Sequence, residues 1–160
     1  MHTVLIAALA AFIPLLVGSA YYGQKAFSNL WMKEASLTAE DLKKGSMPLI
    51  FGLCYLFSFF LSFGLSFIVI HQSGVNSIFA ALNDDASQIY LADFMAKYGT
   101  LYRTFKHGAL HGFIASVTLA LPIISITSLF ERKSGKYIAL HWGFYAICLT
   151  LMGGIICQWA

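Results

Sequence analysis

The stretch RTFKHGALHGFIASVTLALP, residues 103–122, places His107 and His111 four residues apart, each followed by a glycine, at the edge of an apolar run. Residues at i and i+4 share a helix face. Two imidazoles on one face can hold a metal ion or pass a proton. His71 closes an earlier apolar run, and Cys157 lies near the end of a later one. Imidazole nitrogens and a thiolate converging on one rim would make a donor set suited to zinc or copper. His107 and His111 lead that set, with His71 next. His2 falls on the same side but close to the terminus. The competing reading is plainer: a histidine at a membrane boundary keeps its polar tip wet and binds nothing.

Composition decides what carries these residues. The chain has 160 residues, 59% hydrophobic and 11% charged, with a mean hydropathy of +0.74. Soluble domains are closer to a quarter charged. The charges are also segregated, leaving four apolar spans at about 3–22, 48–71, 108–130 and 137–158. Each reaches the roughly 20 residues that a helix needs to cross about 30 Å of hydrocarbon. The expected fold is a single all-α integral membrane domain over residues 1–160, its four transmembrane helices forming a bundle. The segment MHT before the first span holds no Lys or Arg, so that span reads as an uncleaved anchor rather than a signal peptide.

Loop charge orients the spans. The 23–47 loop holds Lys25, Lys33, Lys43 and Lys44, and the 131–136 loop holds Arg132, Lys133 and Lys136. Across the membrane, the 72–107 loop holds only Lys97, Arg103 and Lys106. The cationic side is cytoplasmic, which puts both termini outside. His71, His107, His111 and Cys157 then share the outer side. His141 belongs to the inner side, about 20 Å away along a helix rising about 1.5 Å per residue.

Two loop helices are expected. Thr38 followed by Asp41 reads as a helix start, giving a short cytoplasmic surface helix over 39–44 that ends at Gly45. In the outer loop Tyr90, Phe94, Tyr98 and Tyr102 recur every four residues behind Asp84 and Asp85. That spacing predicts an amphipathic helix lying on the outer surface or on the protein itself.

Small residues form ridges along the spans. Gly108, Gly112, Ser116 and Ala120 are spaced by four, as are Cys54, Ser58, Ser62 and Ser66, and Gly154 continues a similar line after Ala146 and Thr150. Such ridges let two helix backbones approach closely within lipid. A row of serines could also relay protons, but each hydroxyl can bond back to its own helix and simply be small. No Asp, Glu, Lys or Arg lies deep in any span, which argues against an ion-coupled pump. The three cysteines are odd in number and all lie within spans, so no disulfide framework is implied. There is no basic stripe for nucleic acid, and no nucleophile triad, His-Glu metalloprotease motif or phosphate loop for an enzyme.

Two stretches carry a resemblance. They are GSAYYGQKAFSNLWMKEASLTAEDLKKGSM and HGALHGFIASVTLALPIISITSLFERKSGKYIALHWGFYAICLTLMGGII. In their order of motifs, over roughly half the chain, they resemble the bacterial membrane-protein family catalogued as domain of unknown function 1761. The outer loop is longer here than in compact members. The resemblance implies a small four-helix protein of the bacterial inner membrane and no activity. The expected role is that of a non-enzymatic membrane protein with lipid around it. It would work through helix–helix association, as a homo-oligomer or as an accessory subunit with a membrane-protein partner. The alternative is metal-ion or proton binding or transport through the outer histidines.

Overall fold

The computed structural model describes residues 2–82 and 84–160, which are helical and contain no strand. Among the described residues, four stretches are long and apolar enough to cross a membrane: His2–Tyr21, Met47–Val69, Phe105–Phe130 and Gly135–Trp159.

Proline shapes two of them. The first stretch is divided into α1 (His2–Ala10) and α2 (Ile13–Tyr21). Pro14 has no N–H to offer the Ala10 carbonyl, and its ring crowds that oxygen, so the helix breaks between them. After α2 the chain forms α3 (Ser28–Ala35), a helix that no cap or breaker in the sequence had announced. The helix expected over 39–44 shrinks to a single 3-10 turn at Asp41–Lys43. Its start signal is formed: Thr38 N–H donates to Asp41 Oδ2 at 3.0 Å, and Asp41 N–H donates to Thr38 Oγ1 at 3.2 Å. Lys44 and Thr38 together hold the Asp41 carboxyl down at about 2, below the usual carboxylate range. Gly45 and Pro48 then leave no length for a second turn, because Pro48 already lies in the first turn of α4 (Met47–Val69).

The outer loop holds α5 (Gln72–Phe79) and α6 (Asp85–Tyr98). Asp84 caps α6 by accepting from Ser87 N–H at 2.9 Å. The third crossing runs from α7 (Phe105–Ala115) through a π-helical turn at Ser116–Ala120 into α8 (Leu121–Phe130). Pro122 would abut the Thr118 carbonyl, and the widened turn accommodates its missing donor.

The last element, α9 (Gly135–Trp159), is the hub. It packs against α1, α2, α4, α7 and α8. It supplies Leu140, Cys148, Leu149, Met152, Ile156 and Cys157 to the buried core. Ala7, Ala10, Ala11 and Ile13 of the first crossing, Leu65 and Val69 of α4 with Ile70 just after it, and Ala115 of α7 join that core. The outward faces stay apolar, with Phe57, Phe60 and Phe67 on α4 and Ile123, Ile126 and Leu129 on α8 all exposed. Such faces suit hydrocarbon as their surroundings.

Candidate metal centre

The start of α7 is fixed by its caps. Thr104 is extended, and its Oγ1 accepts from His107 N–H at 3.3 Å. Phe105 N–H donates to Gln158 Oε1 at 3.1 Å. Arg103 Nε donates to the Cys157 carbonyl at 2.7 Å, and its guanidinium also reaches the Ala160 carbonyl. Those carbonyls close the C-terminal end of α9, where a cation is favoured. The α6–α7 connection is therefore clamped to the end of α9. Thr104→Ala should lower stability by ~1 kcal/mol, the usual cost of an N-cap. Denaturant unfolding in detergent micelles would register this, and an unchanged midpoint would mean that the cap carries no weight.

Glycine sets the next level. A Cβ at Gly108 would fall on the Gly153 carbonyl and on Cys157 Cβ. One at Gly112 would collide with the Leu149 carbonyl and lie 3.1 Å from Thr150 Cα. In return, a Cβ at Gly153 would lie 3.1 Å from Gly112 Cα. Backbone thus meets backbone along α7 and α9, with Ser116 fully buried one turn further on. This contact lies within one chain. Gly154 faces the Phe105 ring, where a Cβ would sit 2.5 Å from Cε2. Ala120 packs at the margin of the core.

Held in this way, α7 presents His107 and His111 to His71, which lies between α4 and α5. The three histidines form a candidate metal-ligating group, each offering a ring nitrogen, all within 4.8 Å of one another. His71 Nε2 and His107 Nε2 are 2.9 Å apart, a hydrogen bond in which one ring donates and the other accepts. The ring centroids are 4.4 Å apart for His107 and His111, 4.8 Å for His71 and His111, and 5.0 Å for His71 and His107. A tetrahedral zinc with bonds of about 2.0–2.1 Å spaces its nitrogens by about 3.3 Å. The ring nitrogens of this group, from 2.9 Å apart for His71 and His107 up to 4.8 Å, bracket that spacing.

Cys157 is not part of the group. Its thiol is buried and points to the Tyr102 carbonyl at 3.4 Å, because the Gly108 contact draws that part of α9 beneath α7 rather than out to the rim. The donor set is therefore all nitrogen. His2 also falls outside the group. His141 sits toward the other end, with Tyr22 Oη 2.9 Å from its Nδ1 and the Tyr137 ring 4.2 Å away. Ser58, Ser62 and Ser66 are buried along α4. Ser66 bonds back to the Phe63 carbonyl at 2.6 Å, and Ser116 to the Phe113 carbonyl at 2.7 Å. Ser62 Oγ is buried without a partner among the described residues.

Tyr102 is the member the sequence concealed. Its spacing assigned it to the aromatic stripe of the outer helix, but α6 ends at Tyr98 and the chain turns at Gly99. Tyr102 then adopts a left-handed backbone, with φ of 62°, which is rare for a bulky residue. Its carbonyl is held by Thr104 N–H at 2.8 Å as well as by Cys157. Its ring lies nearly parallel to His107, 5.0 Å between centroids, and covers one side of the cluster. Only the immediate neighbourhood of the aromatic to His107 hinted at this.

Compared with known families, the chain matches the model of one described as protein of unknown function (DUF1761), over residues 5–157. No curated protein and no solved structure matches it.

Proposed function

The chain belongs to the DUF1761 family, whose description carries no activity, and on that premise we propose that it is a multi-pass membrane protein that binds a divalent transition metal through His71, His107 and His111. The observation that carries this reading is the meeting of three imidazoles from two distant parts of the chain, within 4.8 Å. Three histidines leave a fourth coordination position open for water or a transferable ligand. An all-nitrogen set suits zinc or copper(II) and lacks the thiolate that would favour copper(I). With the termini oriented by loop charge, the site faces the outer side of a bacterial inner membrane. The protein acts by binding the ion rather than by transforming a substrate.

Helix association between chains is the second reading, and its strongest motive is weakened. Gly108 and Gly112 are already covered by α9 of the same chain. What remains outside is an apolar groove of about 490 Å³, lined by Phe60, Gly64, Ile68, Leu119, Ile123 and Tyr145 among others. Lipid acyl chains fill that groove in a bilayer. Elemental mass spectrometry on protein purified without a metal-affinity tag tests the metal reading. One zinc or copper per chain is expected, and a metal-free protein that also fails to take up added zinc would end it.

A further inference from the structure

The connection from α6 to α7 contains a strained residue whose own packing does not explain it. Tyr102 is left-handed, with φ of 62°. Among the described residues the other non-glycines of positive φ, Ser36 and Arg132, stand at the ends of α3 and α8, where this conformation is routine. Tyr102 ends no helix: α6 stops at Tyr98, and its cap, Gly99, is right-handed with φ of −60°. The left-handed position thus falls on an aromatic residue, where glycine is the usual choice. Burial does not offset the strain, for Tyr102 is 59% exposed. It is held instead by bonds from α5, α9 and the cap of α7. Gln72 Nε2 donates to the Leu101 carbonyl at 2.9 Å. Thr104 N–H and the Cys157 thiol donate to the Tyr102 carbonyl, and Arg103 Nε donates to the Cys157 carbonyl. Strain that its surroundings over-determine in this way gathers at active sites and ligand clamps.

What the conformation delivers is a ring laid on His107, with the two planes 20° apart. His71 stands nearly perpendicular to the same ring, 6.5 Å between centroids. We propose that Tyr102 is a positioning residue of the metal site, its ring holding the His107 imidazole in the rotation that coordinates the ion. This role rests on the metal reading above. A ligating imidazole is ordinarily oriented by a hydrogen bond from its second nitrogen to a carboxylate or a carbonyl. His107 bonds through Nε2 to His71 and through its main-chain N–H to Thr104, and no group among the described residues holds Nδ1. A parallel ring does the same task by contact, since the imidazole cannot turn about its Cβ–Cγ bond without striking it.

The stacking can be read without metal, by NMR of zinc-free protein in micelles with its histidine rings labelled. Ring-current shielding should place the His107 ring protons upfield of their positions in Tyr102→Leu, and Tyr102→Phe should keep them there. Zinc affinity, from competition with a chelating dye, should fall about tenfold or more in Tyr102→Leu and Tyr102→Gly, the usual effect of losing a group that orients a ligand. Tyr102→Phe should keep the wild-type affinity. Tyr102→Gly also relieves the left-handed strain and should melt no lower than wild type, so that affinity and stability part. A residue serving only the connection would lower both together, and that result in Tyr102→Gly overturns the role. So do unshifted His107 protons in the wild type, or a Tyr102→Phe variant as weak as Tyr102→Leu. Normal zinc affinity in Tyr102→Leu ends the role alone, whereas a wild-type protein that takes up no zinc ends the metal reading with it.

Discussion

Gly112→Ile is expected to cost more stability than any other single substitution considered for this chain, and to do so in the monomer. The first added carbon would already collide with the Leu149 carbonyl. That atom belongs to a helix backbone, and a rotamer change cannot clear it. α7 must move away from α9, and the Gly108 and Gly153 contacts one turn along must open with it. Overpacking a tight contact commonly costs about 1–3 kcal/mol, and occasionally more. A β-branched side chain against a backbone belongs at the upper end or beyond. Thermal unfolding in micelles, followed by circular dichroism, should show a large drop in midpoint or no folded protein at all. Gly52→Ala is the matched control, since nothing among the described residues lies within 4 Å of the Cβ it would add. It should be neutral or mildly stabilising, given the helix preference for alanine. Were the glycine ridge a contact between chains, Gly112→Ile would instead separate an oligomer and leave each protomer's midpoint intact. Size-exclusion chromatography alongside the melts distinguishes the two.

The second large effect concerns the histidines. His107→Ala should weaken zinc binding by at least about 100-fold, because even the groups that merely orient a metal ligand are worth about 10–100-fold. Two remaining imidazoles cannot complete a tetrahedral site without help from solvent. His107→Ala combined with His111→Ala should leave no measurable zinc in a competition titration against a chelating dye. His141→Ala is the control: it lies with Tyr22 and Tyr137, away from the group, and should leave zinc affinity unchanged. Cys157→Ser should also leave it nearly unchanged, since that thiol faces the Tyr102 carbonyl. A large loss of zinc with Cys157→Ser would show that the ion sits deeper, between α7 and α9. Zinc binding in the double histidine variant equal to that of the wild type would remove the site altogether. The Gly112→Ile variant links both results, for α7 carries two of the three histidines, and displacing it should dissolve the cluster.

Much of this molecule follows from local chemistry and is legible in the sequence. Four apolar stretches of this length are long enough to cross a membrane, and as helices they satisfy the backbone groups that lipid cannot. The prolines at 14 and 122 mark where two of those helices must break or widen. Asp84 caps α6, and Thr38 with Asp41 forms a reciprocal pair, each within a few residues. The pairing of His107 with His111 on one face follows directly from helix periodicity.

What the sequence does not contain is distance across the chain. His71 precedes His107 by 36 residues, and only the packing of α4, α7 and α9 brings their nitrogens to 2.9 Å. Sequence position places Cys157 on the same rim, but the glycine contact pulls it inward to Tyr102. Tyr102 fits a stripe by period, yet the turn after Gly99 carries it onto His107. A ridge of small residues looks the same whether it serves one chain or two, and here the tertiary structure spends it within one. Spacing fixes which residues share a helix face, whereas the depth and rotation of each helix depend on contacts with residues far along the chain. The apolar spans and the Asp84 and Thr38 caps were therefore determined by the sequence itself, and the membership of the histidine cluster only by the fold.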